Sequence, residues 1–218
     1  MKGISKILTE HEAKKLLAKY GIPVTKEQIA ESADEALAIA LQIGTPVAMK
    51  ISSPDISHKS DVGGVALNVK REEVRTTYNE MKSRIKKTVP DAKIEGILVQ
   101  QMAPAGHEII VGLKKDAQFG HALMFGLGGI FVEVYKDVSF RVVPIEKREA
   151  LDMISEIKGY PILRGIRGRK PADIEAIVRV LVSVSDMAEK ENIIELDINP
   201  LIVNESGAIA VDARAMVE

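Results

Sequence analysis

A fold of the α/β (α+β) class is predicted for this 218-residue chain by three features. Segments with a helical repeat and segments with strand-like patterning interleave from end to end. Two capping boxes, Thr9 with Glu12 and Ser32 with Glu35, mark helix starts. Glycines and prolines separate the apolar runs, as at Gly21 and Pro23 and again in Ala103-Pro104-Ala105-Gly106.

The elements follow in order. The first helix opens at Thr9, carries Leu16, Leu17 and Tyr20 on one stripe, and stops at Gly21 and Pro23. Residues 24–30 read as a strand, and the helix opened by Ser32 ends at Gly44. Residues 47–52 form a buried strand that carries one charge, Lys50. Residues 53–64 are a loop by composition, and 65–69 alternate like a strand. Val74, Tyr78, Met81 and Ile85 share one face of a helix whose other positions are rich in Lys and Arg. Strands are expected at 97–102, 109–113, 121–125 and 138–143, with helices over 146–157 and around Ile174 to Ala188. Two strands close the chain around Asn204-Glu205-Ser206-Gly207. The connector at 103–106 is the candidate hinge between two lobes.

Composition excludes several function classes. Lys and Arg total 30 against 31 Asp and Glu, a net charge of −1, so the basic excess of a general nucleic-acid binder is missing. Aromatic residues are only 4%, which leaves few stacking platforms for single strands. The chain has no Cys, which removes disulfide frameworks and thiolate metal sites. No apolar run approaches the roughly 20 residues that span a bilayer. The first residues lack the apolar core of a signal peptide. A cytoplasmic protein with no membrane and no nucleic-acid partner is the expectation.

Four constellations could carry chemistry. In E-L-D-I-N-P-L, side chains alternate, so Glu195, Asp197 and Asn199 share one face of a strand. A two-residue turn at Glu205-Ser206 sets Asn199 opposite Asp212, where both could meet one hard cation such as Mg²⁺. A three-residue turn sets Asp212 opposite Pro200 instead, and a solvated polar face is the plainer account of the pattern. Lys50 in its apolar strand needs an anion or a route to solvent. The loop S-P-D-I-S-H-K-S-D-V-G-G-V gathers Ser57, His58, Lys59, Ser60, Asp61, Gly63 and Gly64; its glycines admit an anion, and its imidazole can accept a phosphoryl group. F-G-L-G-G-I-F-V-E-V follows a strand and could form an anion nest, with Glu133, Asp137 and Arg141 close behind. It is neither a dinucleotide fingerprint nor a Walker A loop.

Together these segments resemble the nucleotide-binding β subunits of ADP-forming acetyl-CoA synthetases, the NDP-forming acyl-CoA synthetases of the ATP-grasp superfamily. The resemblance runs through Y-G-I-P-V, P-V-A-M-K-I, the His58 loop, G-I-L-V-Q-Q-M, H-E-I-I-V-G, F-G-L-G-G-I-F-V-E-V-Y-K-D-V-S-F-R and E-L-D-I-N-P-L. It implies two lobes, 1–105 and 106–218, clamping ATP or ADP, with the N-terminal helix able to pack on the other lobe. It implies that Lys50 contacts phosphates and that Gln100, Gln101 and Met102 face adenine, partly through backbone groups. Glu108 matches an acidic position near the nucleotide, and Gly126, Gly128 and Gly129 a phosphate-facing turn. Asn199 and Asp212 match the Mg²⁺ ligands, with Asp197 beside them in the catalytic set. His58 matches a phosphorylated histidine on a mobile loop.

The implied reaction is acyl-CoA + ADP + phosphate ⇌ carboxylic acid + ATP + CoA. The acyl phosphate forms on a CoA-binding α subunit, and an α2β2 assembly is implied. A subunit of a succinyl-CoA synthetase-like ligase, which shares the architecture and the I-N-P-L strand, is the nearest alternative. A nucleotide-sensing ATP-grasp module is the non-enzymatic one.

Overall fold

The computed structural model describes residues 5–56, 58–129, 132, 134–166 and 170–218, and the helix starts within them obey their capping signals. Helix α1 (Glu10–Lys19) begins with a reciprocal pair: Glu12 N–H donates to Thr9 Oγ1 at 3.4 Å, and Thr9 N–H donates to Glu12 Oε2 at 2.9 Å. Gly21, at φ +74°, supplies the left-handed turn beyond it. Helix α2 (Ala33–Ile43) is capped by Ser32, whose Oγ accepts the Glu35 N–H at 3.2 Å, but the reciprocal half of the expected box is replaced: Glu35 Oε2 accepts the Glu31 N–H at 2.8 Å. Helix α3 (Val74–Thr88) buries Val74, Tyr78, Met81 and Ile85, the four positions its 3.6-residue period selects.

These elements belong to two compact units, one formed by Thr25–Met102, the other by the residues up to Val24 together with those from Ala103 onward. The smaller unit ends at Met102, just before the 105/106 boundary expected from sequence, and the residues up to Val24 join the larger unit, a placement the expectation for the N-terminal helix left open. The reason is strand β1 (Lys6–Leu8), which pairs with β11 (Ala213–Val217) in the register Lys6↔Val217, Leu8↔Ala215. The expected strand over 24–30 is also divided. Val24 bridges to Ala210 in the larger unit, while β2 (Glu27–Ala30) belongs to the smaller one.

The smaller unit has an antiparallel sheet in the order β2-β5-β3-β4, with β3 at Val47–Ser52, β4 at Val65–Val69 and β5 at Gly96–Gln101. One face of β3 and β5, carrying Val47, Met49, Ile51, Ile97 and Val99, joins Ile39 of α2 and Tyr78, Met81 and Ile85 of α3 in a single core. Burial of each such aliphatic side chain stabilises by about 1.5–3 kcal/mol.

The larger unit has an antiparallel sheet in the order β1-β11-β9-β6-β7-β8, and β10 also pairs with β9. Its further strands are β6 (His107–Asp116), β7 (Gly120–Leu127), β8 (Val138–Val142), β9 (Ile193–Asn204) and β10 (Gly207–Ala210). Helices α4 (Lys147–Glu156), α5 (Tyr160–Leu163) and α6 (Ile174–Lys190) complete it. Leu113, Leu123, Phe125, Leu196 and Ile198 of the sheet meet Met153 of α4 and Ile177, Leu181 and Val184 of α6 in its core. With every sheet pair antiparallel, the fold is α+β rather than a wound parallel sheet.

Two buried hydroxyls fasten the helices of the larger unit. Ser139 Oγ donates to the Met153 carbonyl at 2.8 Å, and Ser185 Oγ accepts the Ile145 N–H at 2.9 Å. Ser185 is fully buried, so Ser185→Ala leaves that N–H without its partner. The expected cost is about 1–3 kcal/mol, read as a fall in Tm of roughly 2–4 °C per kcal/mol. A Tm equal to that of the parent would show that the hydroxyl is dispensable.

Candidate active site

The site residues of the larger unit are arranged by the terminal hairpin. Ser206 N–H donates to Asn204 Oδ1 at 2.8 Å, closing an Asx turn over Glu205-Ser206. Gly207 pairs with Asn204 and Ala210 with Leu201, so the turn has two residues. Pairing then passes through the break between β10 and β11. Val211 N–H donates to the Pro200 carbonyl at 3.0 Å, and Asn199 N–H to the Asp212 carbonyl at 3.1 Å. Beyond it, Ala213 faces Ile198 and Arg214 faces Asp197. Asn199 therefore stands opposite Asp212, with Asp197 one pair further along the same face.

The electrostatics of that face are acidic. Burial first, then the carboxylates of Asp212 and Glu195, hold the Asp197 carboxyl above the usual aspartate range, while Arg214 pulls it down. Asp197, Glu195, Arg214, Ala215 and Met216 line a crevice of about 90 Å³. Among the described residues, no three Asp, Glu or His side chains gather as a protein-only metal cage requires. The donor chemistry fits Mg²⁺ all the same. That ion commonly takes one or two protein oxygens and completes its shell with water and phosphate. Asp212 and Asn199 offer one carboxylate and one amide oxygen.

The glycines of 126–129 fall into separate roles. Gly126 lies inside β7, paired with Ile110 and Val138, and not in a turn. A Cβ there would meet Val138 Cγ1 at 2.8 Å and the Asp137 carbonyl oxygen at 2.9 Å, so its place is set by packing. Gly128 N–H donates to the Glu108 carbonyl at 2.8 Å, and a Cβ at 128 would meet Glu108 Cβ at 3.1 Å. Gly129 sits at φ +62° with open space where a Cβ would be. Glu108 itself is exposed on β6, opposite Ile202.

The neighbouring acidic and basic residues serve the scaffold. Asp137 accepts N–H groups of Lys158 and Gly159 at 2.8 and 2.7 Å, and Arg141 forms a two-pronged pair with Glu156. Ser57 and Glu133 lie outside the described residues. A groove of about 950 Å³ in the same unit, lined by Tyr20, Pro23, Val178, Val182, Ile202 and Ile209 among others, includes none of the expected site residues.

In the smaller unit, Lys50 faces Leu98 across the β3–β5 ladder, and Ala48 faces Gln100. Lys50 and Gln100 therefore project on the same side of the sheet, opposite to the helix-covered core. Both are buried, at 5% and 1% exposure. Gln101 is engaged by the residue before β2: its N–H donates to the Lys26 carbonyl at 2.8 Å, and its Oε1 accepts the Lys26 N–H at 3.5 Å. Met102 is half-buried just past the strand.

His58 is exposed on a loop held at both ends. On one side, Asp55 Oδ2 accepts the Lys93 N–H at 2.7 Å, Ser52 Oγ donates to Glu95 Oε2 at 3.0 Å, and Ile56 enters the core. On the other, Gly64 N–H donates to the Lys59 carbonyl at 2.7 Å, and Ile51 N–H to the Gly64 carbonyl at 2.8 Å. A Cβ at Gly64 would meet Ile51 Cγ2 at 2.6 Å. Asp55, Lys93, Glu95 and Arg84, which reaches the loop at Gly63, were not singled out from sequence. Only Asp55 carried a local signal, its place two residues after Ser53, whose Oγ accepts its N–H.

The ATP-grasp domain family matches residues 1–217. The β subunit of acetate–CoA ligase (ADP-forming) II of Pyrococcus furiosus is 50% identical over 216 residues, covering 97% of this chain and 92% of that one. Acetate–CoA ligase (ADP-forming) I of Archaeoglobus fulgidus is 50% identical over 203 residues, covering 93% of this chain and 30% of that longer protein. Among solved structures, Ca. Korarchaeum cryptofilum acetyl-coenzyme A synthetase 1, in complex with coenzyme A, Ca-AMPCP and HgCl+, is similar with TM-score 0.95 and 49% identity, covering 98% of this chain and 94% of that one. The same synthetase with coenzyme A and Mg-AMPPCP, its phosphohistidine segment pointing towards the nucleotide binding site, gives TM-score 0.86 and 46% identity, covering 98% and 93%. A chain so closely matched over its length belongs to the ATP-grasp superfamily and, within it, to the family of β subunits of ADP-forming acetate–CoA ligases.

Proposed function

We propose that this chain is the nucleotide-binding subunit of an ADP-forming acyl-CoA synthetase, acting with a CoA-binding α subunit, as an α2β2 assembly in the cytoplasm. The observation that carries this reading is the register that sets Asn199 opposite Asp212, in a chain matching a β subunit over nearly all its length. The overall reaction is acyl-CoA + ADP + phosphate ⇌ carboxylic acid + ATP + CoA.

Each residue then has a chemical task. His58, exposed on its loop, accepts the phosphoryl group from the α subunit on a ring nitrogen and gives it to the terminal oxygen of ADP; the imidazole is regenerated and ATP leaves. Dividing the transfer allows each step an in-line approach at short range. Lys50 meets the nucleotide phosphates as a positive charge, and Gln100, Gln101 and Met102 face the base. Asn199 and Asp212 would hold the Mg²⁺ that accompanies ADP and ATP, and the cation would offset the negative charge of the phosphates. Asp197 completes the acidic face, and Gly128 and Gly129, with Glu108, shape the backbone near the phosphates.

Two experiments test this. In the complex with its α subunit, His58→Ala is expected to abolish acyl-CoA-dependent ATP formation while the affinity for ADP stays as in the parent. Undiminished turnover would refute the shuttle. Asp212→Ala is expected to weaken Mg·ADP binding by about tenfold or more, the scale on which even outer-shell partners of a metal act. Titration calorimetry reads it, and an unchanged affinity would remove Asp212 from the metal site.

A further inference from the structure

The loop that carries His58 is fastened differently on its two limbs. The limb before His58 is bound by Asp55 to the Lys93 N–H and by Ile56 to the core. The limb after it forms a compact turn, with N–H groups of Asp61 and Gly63 donating to the carbonyls of His58 and Ser60 at 3.3 and 3.0 Å. Onto that turn, from α3, comes Arg84. Its Nη1 donates to the Gly63 carbonyl at 3.3 Å, and its Cδ and guanidinium occupy the space a Cβ at Gly63 would fill.

A Cβ at 63 would meet Arg84 Cδ at 2.6 Å and Nη1 at 2.9 Å, and the residue sits at φ +68°. Gly63 thus meets two demands at once, the left-handed backbone and the room for a guanidinium. The contact is exposed, so its charge-assisted bond competes with water and can break and re-form.

We propose that Arg84 is a positioning residue for the His58 loop, a latch that holds the limb after the histidine to the smaller unit. The proposal rests on the reading of His58 as the phosphoryl acceptor. In-line transfer needs the acceptor nitrogen within a fraction of an ångström of its place, and an exposed imidazole on an unlatched turn samples too many positions. The bonds Asp61 to His58 and Gly64 to Lys59 make the turn one body, so a hold on Gly63 is felt at His58. A lysine would keep the charge without the planar fork that lies on the glycine.

The test uses the full chain, alone and with its α subunit. Arg84→Met keeps an apolar stem over Gly63 and removes the donor. Amide hydrogen exchange at Asp61, Gly63 and Gly64 is expected to quicken about fivefold or more, with Tm unchanged. In the complex, kcat is expected to fall by about the same factor, with KM for ADP unchanged and partial recovery in Arg84→Lys. Exchange in Arg84→Met equal to that of the parent would overturn the latch. Faster exchange with an unchanged kcat would overturn the positioning role. An active His58→Ala would instead end the shuttle reading, and the exchange data would still report on the latch.

Discussion

The terminal hairpin depends on a turn of two residues. With Glu205-Ser206 as that turn, Leu196, Ile198, Ala213 and Ala215 all fall on the core side and are buried. Asp197, Asn199 and Asp212 fall on the other side. A slip of one residue would expose the apolar set and bury the acids. Burial of the four apolar side chains, worth several kcal/mol together, therefore enforces the register that sets Asn199 opposite Asp212. No separate interaction between those two residues is needed to bring them together. The break at Val211-Asp212 interrupts the strand without changing the register, because Val211 and Asn199 keep their N–H bonds across it.

Much of this was legible in the residues. Helix starts were marked by Thr9, Ser32 and their glutamates, and the buried face of α3 by the spacing of four apolar residues. The alternation in E-L-D-I-N-P-L placed three polar side chains on one face, but left the turn length open; the backbone chose the shorter turn. Strand β1 was not legible, since three residues hold no period, and its partner β11 lies at the other end of the chain. Arg84 was hidden for the same reason: it lies 21 residues from Gly63, on a helix whose polar face looked merely solvated.

Gly126, Gly128 and Gly129 show a finer limit. In sequence they form one glycine-rich run. In the fold, Gly126 is required by Val138 and the Asp137 carbonyl, Gly128 by the approach of Glu108, and Gly129 by its backbone angle. A pattern of small residues reports that backbone or neighbours come close, and does not report whether the neighbour is a strand or a ligand. Likewise Asp137 and Arg141, charged residues next to that run, are used by Gly159 and Glu156 within the scaffold.

The acidic face has a cost that bears on its use. Asp197 is held above its ordinary range by burial and by the neighbouring carboxylates, so its charged form is disfavoured where it stands, and Arg214 offsets this only in part. A face arranged for stability alone would place a second cation there, or a neutral side chain, as strands with one solvated side readily do. The excess negative charge is instead concentrated where β9 and β11 meet, and the hairpin register leaves Asp212 no choice of neighbour. In the reading proposed for this chain, a divalent cation held by Asn199 and Asp212 would offset the repulsion between the neighbouring carboxylates.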